Sequence, residues 1–215
     1  TLGLPDDTPI EHGMISKSIE RAQKKVEQHH FSIRKQILEY DDVMDKQRDT
    51  VYTLRRDILS QKKLTEKLED AIDEVLESLL PYYGFDGSKK SQEKDPEQEK
   101  ELINALEDIF PVKDLASVFK KAGDDDRLKK ELSQAFKMVL SQKSKEHPKE
   151  IFDEVTKMVF LRSLDSKWMD HLHNMDVLRE GIGLRAYGQK NPLMEYKIEA
   201  FDMFKDLLFT VYEEA

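Results

Sequence analysis

The sequence predicts an all-α protein made of one very long helix, an antiparallel two-helix finger and a small helical subdomain inserted between them. Three observations carry this reading. Charged residues are 37% of the 215 and hydrophobic residues 38%, while Gly (8) and Pro (7) are few; an average globular chain has about 25% charged residues and about 12% Gly plus Pro. The breakers are also bunched, with none between Gly13 and Pro81 and none from Lys149 to Glu180. Within both runs the apolar residues recur at steps of three and four, the helical period. Leu, Ile, Val and Phe number 57, enough apolar mass to keep the chain out of the disordered class.

The elements follow in order. Residues 1–13 hold Pro5 and Pro9 close together, which disfavours helix and predicts a connecting loop. From 14 to 62 the stripe Ile19, Ala22, Val26, Ile33, Ile37, Tyr40, Met44, Val51, Leu54 and Ile58 predicts a single helix. His29 or His30 and Gln47 fill its two gaps. At 1.5 Å per residue this helix would reach about 70 Å, well beyond the three or four turns of an ordinary one. Apolar residues off the stripe (Phe31, Leu38, Val43, Tyr52, Leu59) give it more than one partly apolar face, as expected of a strut against which other domains lean.

Residues 63–148 form the inserted subdomain. Leu64, Leu68, Ala71, Ile72, Val75, Leu76 and Leu79 predict an amphipathic helix stopped at Pro81. A polar loop over 81–98 follows, then helices at about 97–109 and 125–145 with a short helical turn at 112–121. Residues 149–215 form a hairpin: one stripe is Val155, Met158, Leu161, Leu164, Trp168, Leu172, Met175 and Leu178, the other Leu193, Tyr196, Ala200, Phe201, Phe204, Leu207, Leu208 and Val211. The turn between them places Gly181, Gly183 and Gly188 around Leu184, Arg185, Ala186 and Tyr187, which predicts an aromatic and basic tip.

Charge and motif searches exclude several functions. The net charge of −9 argues against a general nucleic-acid binder, although residues 14–62 alone are mildly basic. No apolar run reaches 18 residues, so no span is expected. The chain starts at Thr1 without a basic-then-apolar leader, so no signal or transit peptide is expected. With no Cys there is neither a disulfide nor a thiolate site, which fits a reducing compartment. Phosphate-loop, dinucleotide, zinc-protease and serine-hydrolase motifs are absent.

The metal candidates are weak on geometry. His171 and His173 lie two apart on a helix and point about 200° apart, and the adjacent His29 and His30 diverge too. Asp124-Asp125-Asp126 lacks the Gly and position-12 Glu of a calcium loop and reads as a helix N-terminus. Asp41 and Asp42 read as ion-pairing residues. Trp168 reads as a packing anchor of the finger. Tyr187, between Arg185 and Gly188, is hard for its own hairpin to bury and reads as a contact element for another molecule.

Several segments resemble the SecA family of bacterial preprotein translocation motors. Ala22-Gln23-Lys24-Lys25-Val26-Glu27 with Phe31 through Val43 is similar to that family's long scaffold helix. Leu164-Asp165-Ser166-Lys167-Trp168 through His171-Leu172, then Met175 through Ile182, then Leu184 through Pro192, are similar to its two-helix finger. The resemblance implies a helical scaffold domain from 14–62 and 149–215, with 63–148 as the helical wing domain. It implies a non-catalytic segment without cofactor, ATP and magnesium belonging to other parts of the motor. It implies Tyr187 as the finger-tip residue that touches the moving polypeptide, with Arg185, Gln189 and Lys190 as neighbouring contacts, and Trp168 and Leu172 as finger packing.

The implied partners are the remaining SecA domains, the SecY channel and unfolded preprotein, with anionic membrane lipids and a homodimer left open. The implied location is the bacterial cytoplasm, peripheral to the inner membrane. The family places Gly before the tip Tyr and Ala after it, whereas here Ala186 precedes Tyr187 and Gly188 follows. The alternative from a different class is a structural coiled-coil or adaptor that self-associates through 14–62.

Overall fold

A computed structural model describes residues 13–60, 64–87, 96–110, 112 and 115–215. Residues 1–12 of the expected leader loop, 61 and 62 of the expected long helix, and 88–95 of the polar 81–98 loop lie outside them. Among the described residues the structure is all-α: α1 (Gly13–Leu59), α2 (Leu64–Tyr82), α3 (Pro96–Ile109), α4 (Leu115–Lys121), α5 (Asp125–Glu146), α6 (Lys149–Gly181), a 3₁₀ segment (Ile182–Gly188) and α7 (Pro192–Glu214). None of these helices is long and apolar enough to cross a membrane. The chain divides into two compact units, residues 1–46 and 47–215.

In the first unit, α1 carries its apolar stripe into solvent. Ile15, Ile19, Val26, Ile33 and Ile37 are exposed, as are Phe31 and Leu38 off the stripe, and only Tyr40 is buried. A stripe like this in water adds nothing to the helix's own stability, and contiguous apolar surface of this kind is typical of interaction faces.

In the second unit the rest of α1 behaves as a core helix, with Gln47, Val51, Leu54 and Ile58 buried at steps of four, three and four. The subdomain closes around Ile72, Leu76 and Leu80 of α2, Leu102 and Leu106 of α3, Leu115 of α4, and Leu128, Leu132 and Phe136 of α5. Phe110 stacks on Phe136 with centroids 3.9 Å apart and planes 13° apart. Asp124 caps α5 by accepting from the Arg127 backbone N–H at 2.7 Å, the role expected of that acidic run. At the α2/α5 seam, burial pushes Asp73 up, but hydrogen bonds from Lys137 and Ser133 outweigh it and hold the carboxyl below its ordinary range.

Helix α2 runs one residue past Pro81 instead of stopping there. Proline lacks the N–H that would reach the carbonyl one turn earlier, and in a final turn that loss is tolerated while later amides close the end of the helix. Here the Tyr83 and Gly84 amides close onto Leu79 and Pro81, and Phe85 donates to Leu80. Leu64, Leu68, Ala71 and Val75 of α2 are also buried, and α2 packs on α7 as well as α5, which joins the subdomain to the hairpin. A cavity of about 240 Å³ lies at that junction, lined by Leu68, Ile72, Phe110, Phe136, Phe152 and Tyr212.

Candidate functional site

The candidate site lies on the hairpin. Helices α6 and α7 run antiparallel, and contacts along them pair early residues of one with late residues of the other. Phe160 meets Tyr212 edge-to-face at 6.2 Å. Ser163 Oγ donates to Glu214 at 2.6 Å and Lys167 Nζ lies 2.8 Å from the same carboxylate. Those two groups hold the Glu214 carboxyl below its ordinary range. Nearer the tip, the His171 ring meets Phe204 at 5.7 Å.

The buried face of α6 is Thr156, Phe160, Ser163, Leu164, Trp168, His171 and Met175. This corrects the expected stripe over its first half, where Val155 and Met158 are exposed and Leu161 only half-buried. Leu172 is half-buried, and His171 takes the fully buried place beside it. On α7, Tyr196, Ala200, Leu207 and Val211 are buried as expected, but Phe201 is exposed. The cause of the α6 error is chemical: three of its inward residues are polar, and at least two are accepted in the core because distant partners satisfy them.

His171 shows this most clearly. Its Nε2 lies 2.9 Å from Gln47 Oε1, and Gln47 Nε2 donates to the Ala200 carbonyl at 2.9 Å. Since the Gln47 amide nitrogen is committed to a carbonyl, its oxygen must accept, so the imidazole carries its proton on Nε2. Burial holds the His171 pKa below its ordinary value, which keeps the ring neutral. Trp168 is buried and stacks on His171 at 5.5 Å. One glutamine thereby ties α1 to both hairpin helices. Arg55 adds a second, exposed tie from α1 to α6, pairing with Asp165 at 2.9 Å. His173 is exposed, so His171 and His173 do face apart.

At the other end, Ile182–Gly188 forms a 3₁₀ turn. It is closed by two backbone bonds, Gln189 N–H to the Ala186 carbonyl at 3.1 Å and Lys190 N–H to the Arg185 carbonyl at 3.4 Å, the paired pattern of a Schellman motif. Gln189 sits at φ 59°, ψ 19°. The left-handed residue that turns the chain is therefore Gln189, and neither Ala186 nor Gly188 is at positive φ. Asn191 then caps α7, accepting from the Leu193 and Met194 amides at 3.0 and 3.3 Å, with Pro192 opening the helix.

This closure places the expected contact residues unequally. Tyr187 is 89% exposed. Arg185 is turned back to Glu199 at 2.9 Å and Lys190 to Glu195 at 2.8 Å, so the tip's two cations are paired by α7. Leu184 and Gln189 are exposed beside Tyr187. No group of three or more His, Asp or Glu among the described residues is placed to hold a metal.

The family described as the SecA wing and scaffold domain matches residues 9–215. Among curated relatives, the protein translocase subunit SecA of Syntrophus aciditrophicus (strain SB) is 40% identical over 217 residues, covering 99% of this chain and 25% of its own length. That of Syntrophomonas wolfei subsp. wolfei is 41% identical over 213 residues, with 99% and 25% covered. That of Carboxydothermus hydrogenoformans is 42% identical over 221 residues, with 99% and 24% covered. The chain spans about a quarter of the length of these relatives.

Proposed function

The chain belongs to the SecA wing and scaffold domain family, and from that premise we propose that it is the non-catalytic transmission arm of a protein-translocating ATPase. In this reading 14–62 and 149–215 are the scaffold, 63–148 the wing, and ATP and magnesium act in other domains of the longer protein. The exposed stripe from Ile15 to Ile37 is where those domains lean. The arm converts their nucleotide-driven movement into displacement of the finger, whose tip pushes unfolded preprotein through the SecY channel from the cytoplasmic face of the inner membrane.

The observation that supports this most is Tyr187, held out in solvent on a structured stalk. A phenol ring offers an apolar face and a hydroxyl together, so it can grip chains of varied sequence without selecting one. Tyr187→Ala in the full-length subunit should impair preprotein translocation and spare ATP binding; unchanged translocation rejects the assigned role. Nucleotide binding and turnover by the 215-residue chain alone test the non-catalytic assignment, and measurable turnover ends it. The self-association reading draws on the exposed apolar residues of α1. It demands a stable dimer through 14–62 in sedimentation, disrupted by Ile33→Asp.

A further inference from the structure

A 3₁₀ segment has three residues per turn, so side chains three apart eclipse one another. Applied to Ile182–Gly188, this sorts the tip into three faces. Ile182 and Arg185 share the first, and the contacts agree: Ile182 is buried and Arg185 reaches Glu199 of α7. Gly183 and Ala186 share the second, a low-relief strip where a Cβ on Gly183 would meet nothing within 4 Å. Leu184 and Tyr187 share the third, 69% and 89% exposed. A leucine that is mostly solvated, beside a tyrosine that is almost wholly so, has no packing role in its own hairpin.

We infer that Leu184 is a second contact residue of the finger tip, forming with Tyr187 a two-pronged apolar grip for an extended segment of unfolded polypeptide. The inference rests on the finger-tip reading of Tyr187. The occupant follows from charge. Arg185 and Lys190 stay about half-exposed but are each paired with a carboxylate, Glu199 and Glu195, so they give the tip no surplus positive charge for acidic side chains or lipid phosphates. It offers apolar surface on one side and, along Gly183 and Ala186, room for a backbone to lie close. A polypeptide read through its apolar side chains and indifferent to its charge fits such a face.

The test uses the full-length subunit bearing Leu184→Ala, Leu184→Met, Tyr187→Ala or the double alanine change. A photo-crosslinking residue at 184 is used separately to capture a preprotein arrested in translocation. Leu184→Ala should slow translocation about fivefold, the loss expected when part of one leucine side chain no longer leaves water. Leu184→Met should retain most of the rate. The thermal midpoint should stay unchanged, because the side chain is solvated. The defect should be larger on a preprotein rich in apolar residues than on a matched one with Ser and Gly in their place, and insensitive to added Asp or Lys.

If Tyr187→Ala impairs translocation while Leu184→Ala does not, the inference fails and the finger-tip reading stands. If neither change has an effect, the finger-tip reading itself fails and takes the inference with it. A Leu184→Ala defect accompanied by a lowered thermal midpoint makes Leu184 structural and overturns the inference. Weakened binding to phosphatidylglycerol vesicles without polypeptide capture at 184 does the same, because the occupant is then a lipid surface.

Discussion

Replacing Gln47 by Leu tests whether one buried amide fixes the base of the hairpin. Leucine fills a similar volume and is content in the core, so the change removes hydrogen bonds without opening a large cavity. The His171 Nε2–H, 2.9 Å from the lost oxygen, is left buried without its acceptor; an orphaned buried donor costs about 1–3 kcal/mol. The Ala200 carbonyl loses less, because a mid-helix carbonyl keeps its own helical bond. For a chain of this size each kcal/mol moves the thermal midpoint by roughly 2–4 °C, so the single change should lower it by about 2–12 °C. The assay reads unfolding by the fluorescence of Trp168, the only tryptophan, which stacks on His171 and so reports on this site.

A double-mutant cycle isolates the pair. His171→Leu alone strands the Gln47 oxygen, whereas Gln47→Leu with His171→Leu removes both partners and should cost clearly less than the two single losses together. The pH arm has a definite sign. Burial holds the folded imidazole below its ordinary value, so the unfolded chain, near its usual value of about 6.5, takes up the proton first as pH falls. Stability is then full above that value and declines as pH drops below it toward the folded pKa. His171→Gln, which keeps a donor for Gln47 and cannot titrate, should flatten that decline. Additive single changes, or an unaltered pH slope in His171→Gln, would refute the reasoning.

Three other outcomes follow from the tip and the core. Gln189→Gly should raise the urea midpoint slightly, because a left-handed conformation costs an L-residue roughly 1–2 kcal/mol against about 0.5–1 kcal/mol of extra unfolded-chain entropy for glycine; a fall in the midpoint would contradict the φ of 59°. Asn191→Ala should cost about 1 kcal/mol and speed hydrogen exchange at the Leu193 and Met194 amides it now holds, with exchange in α5 untouched. Phe136→Ala, at a fully buried residue stacked on Phe110, should cost about 3–5 kcal/mol in equilibrium unfolding.

The long elements were legible because helix continuity is a local property. The breaker-free runs around Ile33 and around Leu164 had no residue able to end a helix, and α1 and α6 run through both. Asp124 as a cap was equally readable, since cap and capped amide are three residues apart. The inward face of α6 was not, because it depends on chemistry far away in the chain. Ser163 is satisfied by Glu214, 51 residues on, and His171 by Gln47, 124 residues back. Without those partners both residues look like solvent-facing positions, and the stripe drifts to Val155 and Met158. The turn around Gly181, Gly183 and Gly188 was legible, but which residue takes the left-handed conformation was not, and it is Gln189.

The inward face of α6 and the turn are the two ends of the hairpin, and together they show how it is specified. Apolar burial along Phe160, Leu164, Met175, Tyr196, Ala200 and Leu207 gives α6 and α7 their affinity, but such surfaces slide past one another by a turn at little cost. Directional bonds remove that freedom. Gln47 accepts only one rotation of α6 and one height of α7, and Glu214 fixes the far end through Ser163 and Lys167. At the tip the Schellman closure and the Asn191 cap fix the turn by backbone bonds. The exposure of Tyr187 and Leu184 is then the exposure of a held surface, whose ordering cost was met on folding and need not be met again when a chain is engaged.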